Sequence, residues 1–331
     1  MLRVGTFNVE NLDDKSDDNN PPLKERIPIL RSDLNRLDAD ILCLQEVHSQ
    51  KQTENDAEET GRILSALDSL LEGTKYATFN RVYTKRKNNQ PYAERNLVIL
   101  SFFPIANSQQ YLNNFIDTLQ YRKVTAIPPD DAASEVTWER PILHVEIEHP
   151  QLGTLHVIDL HLKSRLASNI KGQKEDRFTW NSAAGWAEGY FLSSIKRVGQ
   201  ALETRILIDD IFDGDENAKI LVCGDFNAEP GEVPVEAICG KVENVNNPKL
   251  RSRVLIPCSK AIAKSVRYTH LYLGNPNLLD HILISQSLLP YFNLARAFNE
   301  NLHDESLPFA FDTKYPDSDH AAFLATFTES M

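Results

Sequence analysis

Ile220-Leu221-Val222-Cys223-Gly224-Asp225-Phe226-Asn227 is the stretch whose reading decides the fold. Four apolar residues follow Lys219 and stop at a glycine, so the run is too short for a buried helix and fits one buried strand. The strand then ends in Gly, Asp and Asn, which puts polar chemistry at its tip. The same figure recurs at residues 2–7, 41–44, 97–100, 142–147, 155–160, 281–284 and 322–327. Each is a short apolar run bounded by polar or turn residues. Between them lie amphipathic stretches at helical spacing. Residues 24–37 place Ile27, Leu30, Leu34 and Leu37 on one face, and residues 60–71 and 182–212 read the same way.

The later strands come in groups and do not alternate strictly with helices. That order disfavours a parallel doubly wound sheet. It favours two largely antiparallel sheets packed face to face, with helices outside. The polar stretches 13–20, 50–59, 85–90 and 168–176 read as loops or helix starts. None is a domain linker, so residues 1–331 are expected to form one domain.

The chain has 331 residues and a net charge of −12, with a sequence pI near 5.3. A module that held nucleic acid by charge alone would be basic. The acidity does not exclude a nuclease, because bound divalent cations invert the local field. No basic start followed by a long apolar run opens the chain, and no run of 18 or more apolar residues occurs. A cytoplasmic protein without a membrane partner is the expectation. Cys43, Cys223, Cys239 and Cys258 show no CxxC spacing, so buried free thiols are expected rather than a zinc site.

Polar residues stand at the ends of apolar strands in five places far apart in sequence, the fifth a pair of Asp-His dipeptides. They are Asn8, Glu46, His161, Asp225 with Asn227, and the pairs Asp280-His281 and Asp319-His320. Hydrolysis of a phosphodiester needs a hard cation, held by one or two carboxylates such as Glu46 and Asp319. It needs a water oriented or deprotonated, for which His320 backed by Asp280 is suited. Asn8 and Asn227 can donate to phosphate oxygens without adding negative charge. His161 can donate to charge developing on a phosphorus-bound oxygen. Singly, each has a plainer reading: Glu46 in a surface ion pair, Asp225 and Asn227 as turn formers, His161 as a bonded core histidine, and the Asp-His pairs as caps. His281, followed by Ile282-Leu283-Ile284, reads as structural.

Taken together and in order, Thr6-Phe7-Asn8, Leu44-Gln45-Glu46, Leu160-His161-Leu162-Lys163-Ser164, Gly224-Asp225-Phe226-Asn227, Leu279-Asp280-His281-Ile282 and Ser318-Asp319-His320 resemble the motifs of the endonuclease/exonuclease/phosphatase (DNase I-like) superfamily. The motif style resembles its bacterial nuclease-like members. The resemblance implies a four-layered α-β-β-α sandwich, with the motif loops gathered at one end. It implies Glu46 as the principal metal ligand, with Asn8 and Asp319 nearby, for magnesium or manganese (Mg²⁺ or Mn²⁺). It implies Asp225 and Asn227 orienting water and phosphate, His320 as general base or phosphate ligand oriented by Asp280, and His161 stabilising the transition state. Ala93-Glu94-Arg95-Asn96 resembles the family's mid-chain strand less closely. Arg95 there either reaches a phosphate or pairs with Glu94.

Two basic clusters interleaved with aromatics bear on the substrate. Arg81, Lys85, Arg86 and Lys87 surround Tyr83 and Tyr92. Lys163, Arg165, Lys171, Lys174 and Arg177 precede Phe178 and Trp180. Such mixtures suit a nucleic-acid groove, with Lys163 and Arg165 on the substrate; solvated loops are the alternative. The expectation is a monomeric metal-dependent nuclease without a stable protein partner, acting on DNA in preference to RNA. A phosphoesterase for an inositol-phosphate or sphingomyelin-type substrate and a non-catalytic module are the alternatives.

Overall fold

The computed structural model describes residues 1–15, 21–52, 61–311 and 315–328. In chain order the sheet-forming strands are β1 (Leu2–Leu12), β2 (Ile41–Val47), β3 (Asn80–Tyr83), β4 (Asn96–Ser101), β5 (Ile105–Tyr111), β6 (Ile142–His149), β7 (Gly153–His161), β8 (Lys219–Asp225), β9 (Ile256–Pro257), β10 (Asp280–Ile284), β11 (Phe292–Ala297) and β12 (Phe323–Phe327). They form two six-stranded sheets, ordered β11-β12-β1-β2-β4-β3 and β9-β10-β8-β7-β6-β5. Each sheet has one parallel pair, β1 with β2 and β7 with β8, among antiparallel neighbours.

The layers follow from the two-residue period of the strands. On β2, Ile41 and Cys43 point between the sheets, where they meet Val145, Val157, Leu221 and Cys223. Leu42 and Leu44 point the other way, onto α1 (Leu23–Leu37) and α2 (Ser65–Leu71) through Leu30, Leu34, Leu67 and Leu70. The second sheet does the same. Ile158, Ile220 and Val222 pack outward on Leu207, Ile208 and Phe212 of α3 (Ala183–Gly214) and on Val235 of α4 (Val233–Cys239). The result is a four-layered α-β-β-α sandwich. All four cysteines are buried free thiols.

The helix expected over 60–71 is shorter than its pattern. Residue 60 lies outside the described residues, Arg62–Ile63 pairs as a short strand with Gln50–Lys51, and the helix begins at Ser65. Gln50 sets that start, since its Oε1 accepts from both Ser65 Oγ and the Ala66 amide at 3.0 Å. The loop readings at 16–20 and 53–59 also lie outside the described residues. Among the described residues, no helix is long and apolar enough to cross a membrane.

Candidate active site

The two parallel strand pairs end at the same side of the sandwich, and their tips carry the polar residues. Where β1 and β2 leave their ladder, the register slips between Asn8 and Leu12, a bulge that turns Glu46 out of the pleat. Glu10, Asn11, Glu46, Arg95 and Asn227 all have left-handed backbones, with φ of 45°, 46°, 63°, 58° and 47°. Non-glycine residues rarely adopt this region, and their gathering at strand tips marks backbone held off its preferred conformation. Gly224 is required for a different reason. A Cβ there would lie 2.0 Å from the Leu160 carbonyl oxygen of the adjacent strand.

From the first sheet come Asn8, Glu10, Glu46 and the Asp319 that precedes β12. The Asn11 amide donates to Glu46 Oε2 at 3.0 Å, and the Asp319 amide donates to Glu10 Oε2 at 3.0 Å. Burial, the Asp319 charge and Glu46 push the Glu10 carboxyl well above the usual carboxylate range, against the pull of Arg26. Burial also raises Asp319, with Glu305 and Glu46 acting the same way and His320 and His270 opposing. Arg26 is fully buried beneath this set; its Nη atoms donate to the Glu10 and Val9 carbonyls at 2.8 and 2.9 Å. Ser318 closes the loop from the other side, its Oγ donating to the Asn8 carbonyl at 2.7 Å.

From the second sheet come His161, Asp225, Asn227 and Asp280. Asp225 is the hub. Its Oδ2 accepts from Asn8 Nδ2 at 3.2 Å and Asn227 Nδ2 at 2.9 Å, and its Oδ1 accepts from the Asn227 amide at 2.8 Å. His161 Nε2 stands 3.4 Å from both Asp225 Oδ2 and Glu46 Oε1. His320 Nδ1 lies 2.7 Å from Asp280 Oδ2, while its Nε2 faces Asp225 Oδ2 at 3.9 Å.

These contacts set three different protonation states. Burial, opposed by His320 and seconded by Asp280 and Glu46, pushes the Asp225 carboxyl up to about 7. Burial also works against a charge on His320, but Asp280, Asp225 and Asp319 outweigh it and hold the imidazole well above its ordinary value. His161 goes the opposite way: burial first, then the Arg140 and Arg95 charges, keep it neutral.

The structure therefore brings Asn8, Glu46, His161, Asp225, Asn227, Asp280, Asp319 and His320 to one cleft. Arg95 reaches its edge. Asn96 fixes that loop, donating from Nδ2 to the Val47 and Tyr92 carbonyls at 2.9 and 2.8 Å. Glu94 is exposed, and among the described residues it forms no ion pair with Arg95. Lys163 is partly buried beside the site, and burial lowers it to about 8. Arg165 is committed elsewhere, donating to Glu232 Oε2 at 2.7 Å and to the Asn227 carbonyl at 3.3 Å, so it braces the Asn227 loop. His281 is buried with Nε2 2.8 Å from the Ala228 carbonyl, as a structural residue would be.

Sequence reasoning passed over two residues of this cleft. Glu10 lies two residues past Asn8, just beyond the Thr6-Phe7-Asn8 motif, and that spacing was the available signal. Arg140 left none, because it precedes β6 in an irregular segment. It is buried, with Nη1 donating to the His161 and Leu162 carbonyls at 3.2 and 3.3 Å. The Nε atoms of Arg95 and Arg140 are buried and without a partner among the described residues.

No curated protein shows significant sequence similarity to the chain. Residues 156–303 match the model of the Endonuclease/Exonuclease/phosphatase family. Solved structures agree over the whole length. A mannosyl-6-phosphatase from Bacteroides thetaiotaomicron is 15% identical with a TM-score of 0.58, covering 99% of this chain and 100% of that one. Truncated TDP2 from Caenorhabditis elegans is 15% identical with a TM-score of 0.54, covering 99% and 97%. An AP endonuclease from Archaeoglobus fulgidus is 16% identical with a TM-score of 0.52, covering 99% of both chains. The chain thus carries the DNase I-like fold throughout and, over residues 156–303, the sequence signature of the endonuclease/exonuclease/phosphatase superfamily.

Proposed function

We propose that the chain is a divalent-metal-dependent phosphodiesterase of the nuclease kind, hydrolysing DNA by attack of an activated water. One observation carries the reading: a single cleft gathers carboxylates from both sheets together with two imidazoles and two incompletely bonded guanidinium groups. Glu10, Glu46, Asp319 and Asn8 offer oxygen donors of the type that Mg²⁺ or Mn²⁺ takes. When bound there, the ion neutralises phosphate oxygens and stabilises charge on the leaving oxygen.

The protein's own groups divide the remaining work. Asp225, titrating near neutrality and steadied by Asn8 and Asn227, takes the proton from the attacking water. His320, kept protonated by Asp280, binds a phosphate oxygen as a cation. Neutral His161 donates from Nε2 to the pentavalent phosphorus centre's oxygens. Arg95 and Arg140 complete the anion cradle. Because both sheets contribute, residues 1–331 act as one catalytic domain, and a monomer suffices.

The nucleic-acid reading is supported by cations stacked on rings along one flank. Lys174 lies 4.5 Å from the Trp180 ring and Arg177 5.2 Å from Phe178. Trp186 and Tyr190 stack on each other at 5.3 Å while remaining exposed on α3. Such surfaces grip backbone and bases together. A second reading, a small phosphate ester as substrate, is favoured by a cavity of about 410 Å³ lined by Lys123, Lys163, Lys196, Ser134 and Asn169.

The discriminating experiment measures metal-dependent turnover of supercoiled plasmid, a single-stranded oligonucleotide and bis-p-nitrophenyl phosphate beside Glu46→Ala. Nucleic-acid cleavage lost in the variant is the expected result. Turnover of the small diester alone transfers the assignment to a small-molecule phosphoesterase, and inactivity on all three removes the phosphodiesterase reading.

A further inference from the structure

Three side chains midway along β6 and β7, on the face of the second sheet that carries α3, form a cluster that phosphate chemistry does not use. His144 and Glu146 share one face of β6, and His156 stands directly across from Glu146 on β7. The ladder fixes which face: His144 pairs with Ile158, which packs in the α3 layer. His161 is five residues farther along β7 than His156, roughly 16 Å at the rise of an extended strand. The set is therefore separate from the catalytic cleft.

We propose that His144, Glu146 and His156 bind one transition-metal ion of the zinc class, clamping β6 to β7. His144 Nε2 and His156 Nδ1 lie 3.1 Å apart, with the rings stacked at 5.3 Å and 19°. Two imidazole nitrogens on a tetrahedral zinc ion stand about 3.3 Å apart, given Zn–N bonds of about 2.0 Å. The observed spacing is thus close to that of a chelating pair. One ligand atom from each of the three residues falls within 4.8 Å of the others.

The surroundings complete the argument. Asn107 on β5 donates Nδ2 to Glu146 Oε1 at 3.2 Å, which orients the carboxylate and leaves its second oxygen available. Glu146 and His156 are partly exposed, giving an ion a path from solvent and leaving room for water as a fourth ligand. Imidazole pairs select Zn²⁺, Co²⁺ or Ni²⁺ over Mg²⁺, which takes oxygen ligands in octahedral geometry. The cluster and the cleft thus call for different metals.

The test titrates tag-free protein with Co²⁺ in excess Mg²⁺, following the visible absorption of tetrahedral cobalt, and then displaces it with Zn²⁺. One Co²⁺ per chain is expected, with its spectrum lost on Zn²⁺ addition. His156→Gln is expected to weaken Co²⁺ binding by roughly 100-fold, since losing a ligand costs at least what losing an outer-shell partner does. Its Mg²⁺-dependent turnover should be unchanged. Glu146→Gln, at a partly exposed position, gives the same readout if His156→Gln folds poorly by circular dichroism. Absence of a tetrahedral Co²⁺ complex in the parent overturns the proposal, as does equal affinity in folded His156→Gln or Glu146→Gln. The readout is binding, so failure of the phosphodiesterase assignment leaves it intact.

Discussion

The two sheets bring their carboxylates to the cleft in different company. At the tips of the first, Glu10, Glu46 and Asp319 crowd together, and the buried Glu10 carboxyl is raised by its neighbours despite Arg26. At the tips of the second, each carboxylate already has a local partner: Asp225 has Asn8, Asn227 and two imidazoles, and Asp280 has His320. In the proposed function the first set holds an external cation and the second manages protons, so that an acidic protein can address an anionic substrate. The metal ion would cancel the charge that repels phosphate, and His161, His320, Arg95 and Arg140 would meet the phosphate oxygens.

Removing one member of each set breaks the contrast most severely. Glu46→Ala and His320→Ala are each expected to lower kcat by about 10³-fold or more, with far-ultraviolet circular dichroism unchanged. A fully active His320→Ala enzyme would show that the His320 imidazolium is misassigned as a phosphate ligand. Chelation attacks only the first sheet's contribution. EDTA should abolish turnover, and Mg²⁺ or Mn²⁺ should restore it; activity that survives exhaustive chelation excludes the metal role.

Arg95 tests the boundary between the sets. It sits on the first sheet but carries the charge type of the second, and its Nε has no partner among the described residues. Arg95→Ala is expected to reduce kcat/KM by about 10- to 100-fold, with Arg95→Lys recovering only part, because a single ammonium cannot match a guanidinium fork. Equal kinetics in Arg95→Ala and the parent would leave Arg140 as the sole guanidinium in the cradle.

How much of this was legible in the sequence depends on how local each signal is. The strand tips were readable because a short apolar run ending in Asn8, Glu46 or Asp225 is a contiguous pattern. Two facing sheets with helices outside followed from the grouping of the strands, and the four layers from the family resemblance. Which face Leu42 and Leu44 take, against helices, and Cys43, between the sheets, was not readable in the unbroken apolar run 41–44. Arg140 was not readable, because it is defined by carbonyls 21 and 22 residues away in sequence and not by its neighbours in the chain. The partners of Arg165 were hidden for the same reason: Glu229 and Glu232 lie on a different loop. The start of α2 depended on the Gln50 side chain, which no helical period can reveal.

A smaller effect isolates the first sheet's crowding. In metal-free protein, Glu10→Gln is expected to raise stability by about 1 kcal/mol by relieving burial of a carboxylate among like charges. The same change should weaken Mg²⁺ or Mn²⁺ affinity, measured as a smaller rise in Tm on adding metal. A lower Tm in both conditions would mean that Glu10 is held chiefly by the Asp319 amide and not strained by its neighbours.

The smallest expected effect lies where the sheets touch beneath the cleft. Gln45 Nε2 donates to Asp159 Oδ1 at 2.7 Å and to Thr6 Oγ1 at 3.1 Å, joining β2 of one sheet to β7 of the other. Asp159 Oδ2 is buried without a partner among the described residues, and burial raises this carboxyl well above its ordinary value despite the Gln45 bond. The folded state thus retains a proton that the unfolded chain releases near pH 3.9, the approximate value for a free Asp. Stability from this group is fully present below the unfolded pKa and falls as pH rises toward the folded pKa. Asp159→Asn keeps an acceptor for Gln45 and removes the ionisation. Its Tm should match the parent in acid and exceed it increasingly as pH rises through that interval. A difference independent of pH would mean that Asp159 is already ionised in the folded protein, and that the junction between the sheets tolerates a buried charge as the cleft above it does.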